Sequence, residues 1–134
     1  MASRATISAI EQCDGSSAEV AYVASRILNG KYLFCRNSVE NVWYGFNGTI
    51  WKRDESPRIE LSRSVRDHFT MTVSQLRRKP KTEEGYHNER RCKLLMDVAQ
   101  DLQDRHFMDR VLHKMSVLMS DPNFRNSRYD GSIV

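Results

Sequence analysis

The clearest helical pattern of the chain follows a short stretch of small polar residues. Apolar side chains recur there at helical spacing, at Val20, Val23, Ala24, Ile27 and Leu28. The preceding Ser16-Ser17-Ala18-Glu19 is typical of a capping box, and Asn29-Gly30 supplies a left-handed stop. The pattern therefore predicts a helix between these signals. Residues 1–15 show no clear periodicity, and we expect them to form a flexible N-terminal tail.

Three short segments rich in aromatic and β-branched residues come next, at 32–35, 42–46 and 49–52. Such segments bounded by polar turns predict strands. Asn47-Gly48 joins the last two segments, and both residues tolerate the positive φ of a two-residue hairpin turn. We therefore predict a three-stranded antiparallel meander. Because a sheet of this size is marginal alone, it needs helices packed on one face.

Helical periodicity returns after Pro57 and predicts three more helices. The first is expected to end before Arg77-Arg78-Lys79-Pro80-Lys81, because proline disfavours helix in the residue before it, and residues 82–88 are expected to form a polar linker. The last helix is expected to stop near Asp121-Pro122. The apolar stripes of the three helices are Leu61, Val65, Phe69, Val73 and Leu76; then Cys92, Leu95, Met96, Ala99 and Leu102; then Met108, Val111, Leu112, Met115, Leu118 and Met119.

These elements predict an α+β fold, with a small three-stranded antiparallel meander packed on about four helices. The length of 134 residues is that of one ordinary domain, which we place at residues 16–122. Residues 123–134 are expected to be a tail leading towards a further domain downstream. No apolar run is long enough to span a membrane or to act as a signal peptide, so we expect an intracellular protein without membrane contact.

Composition restricts the chemistry further. Three cysteines, Cys13, Cys35 and Cys92, are widely spaced and include no CxxC motif, which favours buried or free thiols over a disulfide framework or a zinc site. The chain has no GxxxxGK[ST], GxGxxG or nucleophile motif. His106 and His113 share one helical side with Asp109 and Arg110, but they lie about 10 Å apart, too far to chelate one ion. We therefore expect no catalytic site, metal or cofactor.

The positive charge of the chain is concentrated in one region. Between Leu76 and Lys93 there are seven basic and three acidic residues, and the rest of the chain carries 14 of each. Such a local excess predicts a patch that faces an anionic partner, although a flexible basic loop without a partner would look the same. Our candidate nucleic-acid-binding residues are Arg77, Arg78, Lys79, Lys81, Arg90, Arg91 and Lys93.

The aromatic hairpin allows two interpretations. Its outward side chains could stack on bases, as in single-strand binding proteins, or the hairpin could serve as core. In a strand, Trp43 and Gly45 face one way while Tyr44 and Phe46 face the other. Packing is favoured because the segment lacks interleaved basic residues, and we expect Trp43 or Trp51 to be largely buried.

The order of elements, together with "WYGFNGTIW" at Trp43–Trp51 and "SDPNF" at Ser120–Phe124, resembles a known family. The chain is similar over roughly residues 20–130 to the domain between the primase and the superfamily 3 helicase in poxvirus-type primase–helicases. Large DNA viruses have this domain, as do related phage and plasmid primases. In the family, a segment running into the helicase motor follows about where this chain ends.

The resemblance implies a non-catalytic domain of a viral replicative primase–helicase. Such a domain supports assembly of the hexameric helicase ring and engages single-stranded or forked DNA weakly during replication. Its partners would be DNA, the downstream helicase domain and neighbouring subunits, in the host cytoplasm at virus factories or in the nucleus. The Walker motifs and primase carboxylates are absent from this chain, so neither ATPase nor polymerase activity is implied.

Two other functions remain open. The chain could be a protein-interaction module that docks a replication partner without touching DNA, or it could be a complete small nucleic-acid-binding protein. Salt-dependent DNA binding would separate the docking module from the other two. A downstream GxxxxGK[ST] motif in the full gene would separate the helicase domain from the complete small protein.

Overall fold

The computed structural model describes residues 4–36, 41–54, 56–78 and 83–121, and for residues 83–88 it describes the backbone alone. The described residues form five helices and one three-stranded antiparallel sheet, so the predicted α+β fold class is confirmed. In chain order the elements are α1 (Arg4–Glu11), α2 (Ser17–Ile27), β1 (Tyr32–Arg36), β2 (Asn41–Phe46), β3 (Trp51–Asp54), α3 (Pro57–Arg77), α4 (Glu83–Asp101) and α5 (Arg105–Leu118).

Helix α2 begins and ends where its local signals predict. The Ser16 side chain accepts a hydrogen bond from the Glu19 backbone N–H at 3.2 Å. In a capping box the Glu19 side chain would accept a hydrogen bond from the Ser16 backbone N–H. Here Asp14 Oδ1 accepts that hydrogen bond instead, at 2.8 Å. Gly30 follows the helix with a φ of +83°, a conformation that glycine adopts without steric cost.

The first residues differ from the predicted flexible tail. Residues 4–11 form helix α1. Ile10 within this helix and Cys13 just after it are buried in the main hydrophobic core. A helix this short is marginal in isolation, so burial of its apolar side chains provides the stability that local sequence signals lack. The packed unit therefore begins near residue 4 and not at residue 16. Residues 123–134, the predicted C-terminal tail, lie outside the described residues.

The sheet has the order β1-β2-β3, but the hairpin turn between β2 and β3 is longer than predicted. Phe46 pairs with Trp51, which leaves residues 47–50 as a four-residue loop. The Asn47 side chain accepts from the backbone N–H groups of Thr49 and Ile50, both at 2.9 Å. The longer loop is stabilised because one side chain satisfies two backbone donors. Strand β3 therefore begins at Trp51, two residues after the predicted start at residue 49.

The outer edge of β1 is partly covered by the segment that follows α5. Phe34 donates from its backbone N–H to the Met119 carbonyl at 3.0 Å, and its carbonyl accepts from the Asp121 N–H at 3.2 Å. These bonds form a parallel bridge between Phe34 and Ser120. The bridge reduces the unpaired edge that β1 would otherwise expose. No sequence signal predicted this pairing, because it joins residues far apart along the chain.

Helix α4 corrects the predicted polar linker. It begins at Glu83, so most of the segment 82–88 is helical. The buried side chains of Cys92 and Leu95 further along α4 pack it into the core, and this tertiary contact stabilises a helix whose start lacks an apolar stripe. At the other end of the connection, α3 ends at Arg77, one residue beyond the predicted end before that residue.

Both faces of β2 are buried at its centre. Trp43 is 7% exposed and lies in the main core, where its ring makes an edge-on contact with Phe34 at a centroid distance of 5.2 Å. Tyr44 points to the opposite face, is fully buried, and forms a second cluster with Cys35. The burial predicted for one tryptophan is thus confirmed at Trp43. The three cysteines are all buried and form no disulfide.

The Tyr32 hydroxyl at the start of β1 is a titratable group of the sheet with a shifted pKa. Burial, together with the negative charges of Asp54 and Glu60, raises the pKa of Tyr32 to about 12 from an ordinary value of 10.0. Its ring packs so closely on Gly45 that a Cβ there would lie 3.1 Å from Tyr32 Cε1. The folded protein therefore holds this hydroxyl in its protonated form.

This shift predicts a loss of stability in alkali. Unfolded Tyr32 ionises from about pH 10 while the folded form stays neutral to about pH 12, so its stabilising contribution is full below pH 10 and is lost across that interval. Denaturant midpoints are expected to fall less between pH 9.5 and 11.5 in Tyr32→Phe than in the wild type. Parallel falls in the two proteins would contradict the assignment.

Candidate nucleic-acid interface

Whether the predicted basic residues lie near one another depends on how α3 and α4 pack against each other. The Cys92 thiol in the first half of α4 donates to the Val73 carbonyl near the end of α3, at 3.8 Å. Towards the other ends of the two helices, Arg66 of α3 and Gln100 of α4 line one cleft. The two helices therefore run antiparallel. This is the arrangement that brings the end of α3 beside the start of α4.

Four candidate residues lie towards this end of the domain: Arg77, Arg78, Arg90 and Lys93, which we call the end patch. Arg77 lies about 6 Å along the axis beyond Val73, and Arg90 lies about 3 Å beyond the level of Cys92, at a rise of 1.5 Å per residue. All four side chains are exposed, and none forms an ion pair with another described residue. Their charges therefore lie towards the same end of the domain, where the exposed Glu89 is an acidic neighbour.

Part of this charge also has a purely structural role. A cation in the last turn of a helix interacts favourably with the helix dipole, and Arg77 occupies that position in α3. An exposed interaction of this kind contributes about 0.3–1 kcal/mol at low salt. Arg78, the C-cap residue of α3, lies at the same helix end, whereas Arg90 and Lys93 have no such role.

Arg91 is separated from the other candidates by its contacts. Its Nη1 donates to the backbone carbonyl of Cys13 at 2.8 Å, and the side chain is partly buried. It thereby fixes α4 to the turn that follows α1. The sequence pattern missed this role because α1, which positions the acceptor, carries no strong helix signal. Lys79 and Lys81 lie outside the described residues.

The aromatic hairpin offers little surface for stacking on bases. Trp43 and Tyr44 are buried on opposite faces of the sheet. Phe46 is 39% exposed and packs on Trp51 with a centroid distance of 5.1 Å and an interplanar angle of 40°. Each ring of this pair already covers part of the other. Among the described residues, the end patch therefore remains the better candidate for binding an anionic polymer.

The carboxylate of Asp109 is engaged by two arginines. Asp109, which shares a helical side with His106 and His113, lies 3.2 Å from Arg58 Nε and 3.9 Å from Arg105 Nε. Within the described ranges, no group of three or more histidine, cysteine or carboxylate side chains is placed to hold a metal ion. In the same part of the chain, no helix combines the length and the apolar character needed to cross a membrane.

No protein-family model matches the sequence, and no curated protein matches it significantly. The features that bear on function are therefore the sequence motifs at Trp43–Trp51 and Ser120–Phe124 and the charge geometry of the folded domain.

Proposed function

We propose that the chain is a non-catalytic domain of a viral replicative primase–helicase that engages single-stranded or forked DNA through the end patch. The observation that carries this proposal is the antiparallel packing of α3 and α4. This packing gathers Arg77, Arg78, Arg90 and Lys93 at one end of the domain, exposed and without ion-pair partners among the described residues. The helicase context is supported by the sequence resemblance described above.

The chemistry of the end patch suits phosphate groups rather than bases. Arginine and lysine side chains at a surface bind backbone phosphates, which positions a strand without reading its sequence. Such binding is weak, tolerant of sequence and steeply dependent on salt, because each neutralised phosphate releases counterions. A domain of this kind would guide DNA towards a hexameric motor built by the downstream helicase domain and neighbouring subunits. The protein would work inside the host cell, at virus factories in the cytoplasm or in the nucleus.

Binding of labelled oligothymidylate over a series of salt concentrations tests the proposal. The end patch together with Lys79 and Lys81 supplies six phosphate contacts and predicts a slope of about −4.2 in a plot of log affinity against log salt, since each contact on a single strand contributes about −0.7. The purified domain is also expected to hydrolyse no ATP and to extend no primer. ATP turnover that follows the protein through purification and is lost in a point variant would contradict the non-catalytic assignment.

A second candidate function is protein docking, and one surface favours it. Tyr22 and Leu118 are 45% and 53% exposed and line one cleft of about 730 Å³. The cleft combines these exposed apolar side chains with polar ones such as Arg26 and Asn29, a mixture that contacts between proteins also show. If the domain docks a replication partner without touching DNA, the wild type will show no oligonucleotide binding even at low salt.

A further inference from the structure

The loop between β2 and β3 holds a side-chain amide against a backbone nitrogen. Asn47 Oδ1 accepts hydrogen bonds from the backbone N–H groups of Thr49 and Ile50, both at 2.9 Å. The bond from Thr49 closes an Asx-turn, which folds the side chain back over the peptide between Asn47 and Gly48. The amide carbon Cγ of Asn47 is therefore kept close to the Gly48 nitrogen.

The Gly48 nitrogen is unhindered. Gly48 is exposed, and a Cβ placed on it would meet no atom within 4 Å apart from its chain neighbours. Its N–H donates no hydrogen bond to any residue that the structure describes. Water or hydroxide can therefore reach this N–H and remove its proton, which makes the nitrogen a nucleophile.

The two donors on Oδ1 stabilise the charge that an attack on Cγ creates. Addition of the nitrogen turns Oδ1 into an oxyanion, and backbone N–H groups about 2.7–3.1 Å from such an oxygen favour its formation. The N–H groups of Thr49 and Ile50 already lie at 2.9 Å. Within the described ranges the Asn47 Nδ2 group donates no hydrogen bond, so it is free to leave as ammonia.

A second Asn-Gly pair of the chain lacks these donors. Asn29-Gly30 follows α2, is exposed, and has a glycine φ of +83°, against +100° at Gly48. The N–H groups at the same two positions after the asparagine, those of Lys31 and Tyr32, both donate to the Leu28 carbonyl, at 2.9 Å and 3.1 Å. Asn29 Oδ1 receives neither of them. The two pairs thus share a dipeptide and differ in the hydrogen bonding of the amide oxygen.

We propose that Asn47 is a self-modification site, at which the folded hairpin promotes conversion of asparagine to aspartate and isoaspartate. The Gly48 nitrogen forms a bond to Cγ, the Cγ–Nδ2 bond breaks, and the proton lost by the nitrogen leaves with Nδ2 as ammonia. Water then opens the cyclic imide. Cleavage of the new N–Cγ bond gives aspartate, and cleavage of the original peptide bond gives isoaspartate. Neither step changes an oxidation state, and the inference goes beyond DNA binding and is independent of it.

Either product changes the surface of the hairpin. Both carry a negative charge that asparagine lacks, in a cleft of about 620 Å³ that Lys31 and Lys52 also line. Aspartate keeps an acceptor for the two backbone donors. Isoaspartate lengthens the main chain next to the bond from the Asn47 N–H to the Ile50 carbonyl, 3.1 Å long, which closes the loop. Conversion at Asn47 therefore alters both the charge and the geometry of the β2–β3 connection.

Ageing of the purified complete chain at mildly alkaline pH tests the proposal, because base removes the proton of the attacking nitrogen. Trypsin places Asn29 and Asn47 in separate peptides, 27–31 and 37–52, and mass spectrometry with fragmentation measures the converted fraction at each asparagine. We expect Asn47 to convert faster than Asn29 by at least about tenfold, since each donor on Oδ1 contributes about fivefold. Equal rates at the two sites, or a faster rate at Asn29, would overturn the proposal.

The same ageing in concentrated denaturant separates the effect of the fold from that of the local sequence. Unfolding removes the two hydrogen bonds to Oδ1, so both Asn-Gly pairs are expected to convert at similar rates. If Asn47 keeps its advantage in the unfolded chain, its sequence neighbours cause that advantage and the folded loop does not, which overturns the proposal.

Thr49→Pro removes one of the donors, because proline has no backbone N–H, and Thr49→Ala is its matched control. We expect conversion at Asn47 to slow about fivefold in the proline variant and to keep the wild-type rate in the alanine variant. Conversion at Asn29 in the same samples, together with the Tm, verifies that the fold persists. An unchanged rate at Asn47 in a folded Thr49→Pro protein would overturn the proposal. If this variant does not fold, the comparison of the two sites in the wild type decides alone.

Discussion

Replacing Trp43 with alanine is expected to lower the free energy of unfolding by about 3–5 kcal/mol. Trp43 lies at the centre of β2 with 7% of its surface exposed, and its ring contacts Phe34 on the neighbouring strand. Alanine would lose the burial of a large aromatic surface and leave a cavity between the sheet and the helices. A loss of this size is a large part of the total stability of a small domain.

Chemical denaturation measures this loss, and Trp51→Ala provides the matched control. Trp51 carries the same side chain on the adjacent strand, but it is only partly buried and packs on the exposed ring of Phe46. We expect a clearly smaller loss for Trp51→Ala, with the denaturant slope unchanged in both variants. If Trp43→Ala leaves the denaturation midpoint unchanged, the hairpin does not form part of the core.

Neutralising the basic stretch at the end of α3 is expected to flatten the salt dependence of DNA binding by roughly two to three units. The variant replaces Arg77, Arg78, Lys79 and Lys81 with glutamine, and each phosphate of a single strand that is no longer neutralised removes about 0.7 from the slope. The fold is expected to persist, because Arg77 and Arg78 are exposed and form no ion pair with other described residues. Fluorescence anisotropy over a salt series measures the slope, and circular dichroism verifies the fold.

Arg91→Gln is the informative contrast, because Arg91 belongs to the same basic stretch but donates to the Cys13 carbonyl. We expect it to lower stability by about 1–2 kcal/mol through removal of the charged hydrogen bond, with little change in the salt slope.

Unchanged DNA affinity at low salt in the variant that replaces Arg77, Arg78, Lys79 and Lys81 would exclude the end of α3 as the contact. A wild type that binds no DNA would favour the protein-docking function.

The sequence alone predicted those elements whose signals lie within a few residues. Ser16 and Gly30 bound α2 because capping and left-handed turns are local interactions. The apolar stripe from Leu61 to Leu76 predicted α3, since the 3.6-residue period follows from the geometry of one helix. The three strands and their antiparallel order were predicted for the same reason, from aromatic runs and a short polar connection.

Other features were decided by contacts between distant parts of the chain. Helix α1 depends on the burial of Ile10, and the edge of β1 is paired by residues around Ser120. The length of the hairpin loop depends on which backbone donors the Asn47 side chain reaches. None of these contacts leaves a periodic pattern in the sequence, because each depends on where another group lies in the fold.

The same division applies to the candidate site. The sequence by itself determined that the positive charge is concentrated between Leu76 and Lys93, because charge is a property of each residue type. Only the tertiary structure decided which of these residues face solvent: Arg90 remains exposed, while its neighbour Arg91 fixes α4 to the turn after α1. The reason is physical: composition gives the charges, but the partners of each charge are set by the packing of helices that are remote in sequence.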